Sequence, residues 1–313
     1  MKILVTGGCG YKGSVLVPKL LAQGHTVTVV DIMWFGNFLQ PHANLTVIKA
    51  DTREPQDSWF HDVEAIIHLA AVANDPCTDL EPKLSWEVGA LATMLLADRA
   101  VKHGVKQFIY ASSGSVYGVS DAPHVTEDTP LNPISEYNKN KMVSERVLLS
   151  YGHDMIVQIV RPATVCGYSP RMRLDVSVNM LTMQALTKGL ITVFGGDQTR
   201  PNIHIDDITD LYLYLLENKV AGIFNAGFEN LSILEIANMV TSSVPAEVKV
   251  SVSNDPRSYR VNSDKLLKVG FKPRKSVKDA IQEMIVQFQL GVLKDEDRFH
   301  NIRTMKNLSK EFA

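Results

Sequence analysis

The sequence predicts an α/β protein built on a doubly wound parallel sheet, with a smaller α/β unit toward the C-terminus. Three observations carry that expectation. Short β-branched runs alternate with longer helix-forming segments through the first half, the pattern of a parallel sheet covered on both faces. A glycine-rich turn follows the first of these runs, where such sheets place a ligand-binding loop. The alternation weakens after Arg161-Pro162, so a second unit of mixed short elements begins there.

Strands are expected at Ile3–Thr6, Thr26–Val30, Thr46–Ile48, Ala65–Leu69, Gln107–Ala111 and Ile156–Val160. The intervening helices each stop at a glycine: Val15–Ala22 at Gly24, Leu84–Val101 at Gly104, and Glu136–Ser150 at Gly152. Beyond residue 165 the spacing predicts helices near Val178–Lys188, Asp207–Glu217, Ile233–Ser243 and Val277–Leu290. Strands are expected near Ile191–Phe194 and Gly222–Ala226. The last stretch, Lys294–Ala313, is charged and aperiodic and is expected to lie on the surface or to be partly mobile. No Gly/Ser-rich linker marks the boundary. Residues 1–165, rejoined by parts of 195–225, should therefore form one domain packed closely against a second, 166–313, with a cleft between them.

Composition narrows the function. The 313 residues are 45% hydrophobic and 21% charged, and 32 basic against 34 acidic side chains leave a formal charge of −2. That balance gives no electrostatic reason to expect nucleic acid or an anionic membrane as partner. The longest stretch free of charge, Ile32–Ile48, is broken by Gly36, Asn37, Pro41 and His42 and cannot span a bilayer. The apolar run before Gly7 is too short for a signal peptide. Cys9, Cys77 and Cys166 stand far apart and read as reduced thiols of a cytoplasmic protein. The nine histidines form no metal-ligand spacing, so no metal is expected, and His68 reads as a packed strand-end residue.

Thr6-Gly7-Gly8-Cys9-Gly10-Tyr11-Lys12-Gly13 joins the first strand to the first helix. Glycines 7, 10 and 13 permit a tight turn and close approach of backbone to a pyrophosphate, which then meets the positive end of the helix. Asp31 ends the second strand 18 residues beyond Gly13, where a carboxylate accepts from both adenosine ribose hydroxyls and repels a 2′-phosphate. No arginine occupies residues 32–36, so NAD is expected rather than NADP. Asp51 reads either as an adenine partner or as a simple strand-end cap.

Tyr137-Asn138-Lys139-Asn140-Lys141 sets a phenol and an ammonium on one helix face. A tyrosine titrates near ~10 and is a poor base at neutral pH, and a nearby ammonium favours the phenolate. Ser112-Ser113-Gly114-Ser115-Val116-Tyr117-Gly118 follows the fifth strand, at the sheet edge where ligands bind. Ser113 can hold a substrate oxygen there while Tyr137 takes its proton.

Together with His68-Leu69-Ala70-Ala71, Arg161-Pro162-Ala163-Thr164-Val165-Cys166-Gly167, Arg200-Pro201-Asn202-Ile203-His204-Ile205-Asp206-Asp207 and Gly270-Phe271-Lys272-Pro273, these motifs cover about residues 1–285 in order. The chain resembles the extended short-chain dehydrogenase/reductases, specifically the NAD-dependent sugar-nucleotide epimerase/dehydratase family. The resemblance implies a Rossmann-type domain with NAD at Gly7, Gly10, Tyr11, Lys12, Asp31, Asp51, Thr52, Leu69, Ala70, Ala71, Tyr137, Lys141 and Pro162. It implies catalysis by Ser113, Tyr137 and Lys141, and a nucleoside-diphosphate sugar held through Asn179, Arg200 and Arg257. Each of these last three reads alternatively as a solvated surface residue. Helices around 87–102 and 136–150 resemble those with which the family forms homodimers, and equally read as facing the chain's own core.

The chain departs from the family at Gly89, Thr164 and Pro201, where Asn, Asn and Asp are usual. Ser169-Pro170-Arg171-Met172-Arg173-Leu174-Asp175 looks like the segment of surface-polysaccharide enzymes acting at C4 of GDP-linked heptose. Arg171 and Arg173, two residues apart, are expected either to meet a sugar or phosphate or to form a salt bridge within the loop through Asp175. Gly114 and Ser115 replace the acids that dehydratases and decarboxylases of the family carry after the catalytic Ser/Thr, so chemistry confined to C4 is expected. The expected activity is a nucleotide-sugar 4-epimerase working through a 4-keto intermediate. A C4 dehydrogenase and a non-catalytic dinucleotide sensor are the alternatives.

Overall fold

The computed structural model describes residues 1–120, 122–252 and 258–312. Its main sheet has seven parallel strands: β1 Lys2–Thr6, β2 Thr26–Asp31, β3 Leu45–Lys49, β4 Ala65–His68, β5 Gln107–Ala111, β6 Ile156–Pro162 and, far downstream, β10 Gly222–Ala226. They run in the order β3-β2-β1-β4-β5-β6-β10. The four central strands β1, β4, β5 and β6 are almost wholly buried, which is why they read as unbroken apolar runs, whereas the edge strand β3 is only half-buried. Strand order reverses between β1 and β4, and the crevice that such a reversal opens lies at the carboxyl ends of those strands.

Helix α1, Gly13–Ala22, buries Leu16, Val17 and Leu20 on one face of the sheet. On the other side of the crevice stand α2 Asp75–Leu80 and α3 Pro82–Trp86. From α3 the chain passes through one π-helical turn, Glu87–Leu91, into α4 Ala92–Lys102. Helix α5, Glu136–Leu149, is started by Ser135, whose hydroxyl accepts the Asn138 N–H. Its buried face is polar: Asn138, Asn140, Lys141, Ser144 and Glu145. Glu145 grips Arg161 of β6 through two oxygens at 2.9 and 2.6 Å, both side chains at most 3% exposed, so α5 is fixed to the sheet by charge.

The second lobe is assembled from two small sheets and the helices around them. Strands β7 Thr164–Cys166, β9 Thr199–His204 and β11 Glu229–Ser232 form one, while β8 Leu190–Phe194 pairs with β12 Glu247–Ser251. Helices α6 Ser177–Lys188, α8 Ile233–Thr241 and α10 Val277–Gln289 close a separate apolar core over them. Between the small strands, α7 Ile205–Asn218 returns to the main sheet and delivers β10 to its edge. The short α9, Asp264–Lys268, packs beside β10.

The C-terminal stretch corrects the expectation of an aperiodic tail. It forms α11, Asn301–Phe312, which lies against α2 and buries Met305, with Phe299 buried just before it. No helix among the described residues is long and apolar enough to cross a membrane. Cys9, Cys77 and Cys166 are free thiols in the interior.

Candidate active site

A cleft of about 550 Å³ opens at the β1/β4 reversal and runs between the two lobes. The glycine turn after β1 forms its floor. Gly7 has a φ of +72°, and a Cβ there would stand 2.6 Å from the Ala70 nitrogen, so only glycine lets the turn lie against the strand end beside it. Gly10, Tyr11, Lys12, Leu69, Ala70, Ala71 and Pro162 all line the cleft, as does buried Thr52.

Asp31 ends β2 at the cleft wall. One carboxylate oxygen accepts the Cys9 N–H at 2.9 Å and the other the Met33 N–H at 2.7 Å. Burial pushes its carboxyl up and the two N–H donors pull it back. Each oxygen keeps a further lone pair. Asp51 lines the cleft, and its oxygens are engaged by the Arg53 N–H and guanidinium at 2.7–3.0 Å. A glycine turn closed by a helix start, with an acid at the tip of β2, is a donor and acceptor set that fits a dinucleotide.

Ser113, Ser115 and Tyr137 meet at the far end of the cleft. The Ser113 and Ser115 hydroxyls are 2.7 Å apart, and Ser115 donates to Asn138 Oδ1 at 2.5 Å. The Ser113 hydroxyl lies near enough to the Tyr137 phenol to oppose the rise that burial causes. Lys141 is buried behind them, its Nζ donating to the Ala111 carbonyl at 2.8 Å, 4.8 Å from the Tyr110 ring centre and 6.0 Å from that of Tyr137.

The electrostatics differ from the expectation that Lys141 lowers the phenol. Burial pushes Tyr137 up, Asp75 adds to the rise, and the opposing influences are the Arg173 guanidinium and the Ser113 hydroxyl. Burial also brings Lys141 down to about 7, assisted by the like charge of Lys12 and opposed by Glu145. An ammonium that itself resists charging is a weak source of field. Arg173 is the cation that faces the phenol.

On the second lobe, Arg200 and Arg173 line the cleft, and Arg257 lies outside the described residues. Asn179 does not reach the cleft. It is fully buried, accepting the Gly167 N–H and donating to the Tyr11 hydroxyl and the Arg173 carbonyl. These bonds pin the second lobe to the glycine turn, a structural task for an amide the resemblance assigned to substrate. Arg173 closes the salt bridge with Asp175 at 3.0 Å and also lines the cleft.

Gly89 has a clear physical reason. A Cβ there would fall 2.2 Å from Asn140 Oδ1, so the Asn140 side chain fills the space that a residue at 89 would need. Asn140 Nδ2 bonds Ser85 instead. His68 is packed as expected, between Thr6 and Thr93 hydroxyls at 2.5 and 3.0 Å and stacked on Tyr110, its basicity lowered to about 3 by burial.

Phe35 and Asn301, which no motif singled out, line the cleft beside Arg171; they come from distant segments and share no local pattern. Asp75, bonded to Ser135, adds a carboxylate to the lining. Away from the cleft, His204, Asp206 and Glu283 gather within 4.8 Å of one another, already tied by hydrogen bonds and by Lys275.

Residues 3–227 match the NAD dependent epimerase/dehydratase family. The chain is 28% identical to the UDP-glucose 4-epimerase of Corynebacterium glutamicum over 290 residues, 85% of this chain and 88% of that one. It is 27% identical to UDP-glucuronic acid decarboxylase 1 of Arabidopsis thaliana over 317 residues, 95% of this chain and 72% of that one. Among solved structures, the UDP-glucose 4-epimerase of Thermus thermophilus in complex with NAD superposes with a TM-score of 0.82 at 24% identity. It spans 92% of this chain and 99% of its own, a likeness of fold.

Proposed function

The chain belongs to the NAD dependent epimerase/dehydratase family, and on that premise we propose that it oxidises C4 of a nucleoside-diphosphate sugar and returns the hydride to the other face, as a 4-epimerase. The single observation behind this reading is that Ser113 and Tyr137 share a cleft with the glycine turn and Asp31, with Lys141 buried behind the phenol. Bound NAD supplies a hydride acceptor and donor. Tyr137 takes the proton of the C4 hydroxyl, and Ser113 holds that oxygen by a hydrogen bond. Ser115, itself held by Asn138, fixes the Ser113 hydroxyl, while Lys141 lies 6.0 Å from the Tyr137 ring centre. Arg200 lines the cleft and is assigned to the substrate diphosphate, a task suited to its planar fork.

Gly114 and Ser115 offer no acid–base pair for loss of water or carbon dioxide. Asp75 is the carboxylate nearest that duty, and it is engaged by Ser135 at the start of α5. The test is incubation with UDP-, GDP- and dTDP-sugars, products followed by NMR. A C4 epimer supports the reading; a 4-keto-6-deoxy sugar or carbon dioxide overturns it. Accumulation of a 4-keto sugar with reduced nicotinamide instead identifies a C4 dehydrogenase, and no turnover of any sugar identifies a sensor. The exposed Leu91 at the end of the π-helical turn, Met94 on α4 and Leu149 on α5 favour a second copy as partner, which sedimentation of the purified protein tests.

A further inference from the structure

Three cations converge above the glycine turn. Lys12 belongs to the turn itself, whereas Arg171 and Arg173 reach it from the segment between β7 and α6, and all three line the cleft. Lys12 has a neutral neighbour, the Tyr212 hydroxyl at 3.5 Å. Arg173 is held in a fork by Asp175 at 3.0 and 3.2 Å, and Asp175 is steadied by Asn74 at 3.0 Å. Arg171, only 2% exposed, lays its guanidinium 4.0 Å over the Phe35 ring and donates to Asn301 at 2.6 Å. Its Nε is buried without a partner.

The carboxylates whose fields reach Arg171 and Arg173 are Asp31 and Asp175. Asp31 already accepts two backbone N–H groups. Three positive groups against two negative ones leave a positive charge uncompensated in a place shielded from water, an arrangement that is costly without an anion. Burial and mutual repulsion bring Lys12 down to about 8 and Arg171 to about 9, Arg173 contributing to both. An orphaned guanidinium N–H beside that excess points to an oxygen-rich, doubly charged ligand.

We propose that Arg171 and Arg173, with Lys12, bind the diphosphate of the dinucleotide, so that the cofactor is gripped from the second lobe as well as from the glycine turn. The inference rests on the NAD reading above. Place decides between the two diphosphates the cleft would hold. Arg171 packs on Phe35, four residues beyond Asp31, and both arginines act on Tyr11 of the glycine turn. Arg200 lies on β9, a different element. The C-terminal segment holds the cradle together: Asn301 fixes Arg171, and the Phe299 carbonyl accepts the Leu174 N–H at 2.8 Å. Dissociation of the cofactor then requires this segment and the arginines to move away together.

The test compares the affinities of wild type, Arg171→Gln, Arg173→Gln and Asn301→Ala for NAD, ADP-ribose, UDP and GDP by calorimetry. A charge-assisted bond to a diphosphate implies a loss of about tenfold or more on NAD and ADP-ribose for each arginine variant. UDP and GDP affinities should change less than about twofold, and Asn301→Ala should show a smaller loss in the same direction. Should Arg173→Gln fail to fold because Asp175 is left unpaired, the Arg173→Gln/Asp175→Asn variant replaces it. Loss on UDP or GDP as large as that on ADP-ribose overturns the assignment, as does unchanged binding of all four. Wild-type protein that binds neither NAD nor ADP-ribose overturns the cofactor reading itself, an outcome distinct from variants that bind as wild type does.

Discussion

Lys141→Met should change how the stability of the ligand-free protein depends on pH. In the unfolded chain this lysine titrates at its ordinary value of 10.5, and in the folded protein burial brings it to about 7. Below about pH 7 both states carry the proton, and the folded protein bears the full cost of burying an ammonium. Above that, the folded protein gives up the proton while the unfolded chain keeps it, so folding becomes more favourable as pH rises. One pH unit corresponds to about 1.4 kcal/mol, and from pH 7 to about 9.5 the gain integrates to about 3 kcal/mol. The methionine variant lacks this gain. Its Ala111 carbonyl loses a donor, a pH-independent cost of about 1 kcal/mol. Lys12, near 8, contributes a similar slope to both proteins, and the raised phenol of Tyr137 acts only above its ordinary value of 10.0. Urea unfolding at a series of pH values between these limits measures the difference. Parallel curves for wild type and variant would refute the claim that Lys141 is buried at a cost.

Three further outcomes are expected. Tyr137→Phe should retain fold and NAD affinity while turnover falls by at least ~10²-fold, the size of a general acid–base contribution; full activity on the preferred sugar removes Tyr137 from its role. Asp31 should give tighter binding of NAD than of NADP, a preference that narrows in Asp31→Asn, and equal dissociation constants in wild type would show that the carboxylate does not face the ribose. Gly89→Ala should lower the melting temperature because its Cβ meets the Asn140 amide, and Asn140→Ala in the same chain should restore part of the loss; additive losses would contradict that contact.

The legible parts of this molecule are those fixed by local periodicity. Strands β1, β4, β5 and β6 are buried on both sides and stand out as apolar runs. The helical spacing of Tyr137 and Lys141 and the place of Ser113 after β5 already set the proposed catalytic groups near one another in the fold. Helix α5 is readable from Gly152 at its end but not from its faces, because most of its inward residues are polar and pair with partners such as Arg161 and Ser85. Arg171 reads in sequence as a loop cation for a sugar, a phosphate or Asp175; only Phe35 and Asn301, from opposite ends of the chain, make it a buried group. Asn179 has suitable donor chemistry for a phosphate, yet the packing of Tyr11 and Gly167 places it inside. Helix α11 was missed because its buried contacts are with α2 and the loop after β2, far away in sequence.

The late arrival of β10 has a consequence for how the chain is made. Strand β6 is buried along nearly its whole length, and one side of it is covered only when residues 222–226 return from the second lobe. Until then a growing chain carries an open, apolar strand edge, with the Gln158 amide lacking its partners, the Leu215 and Val220 carbonyls. Such edges recruit other chains. A fragment ending near residue 165 should therefore aggregate rather than fold, and synthesis must proceed past residue 226 before the dinucleotide half of the protein is safe from its neighbours on the ribosome.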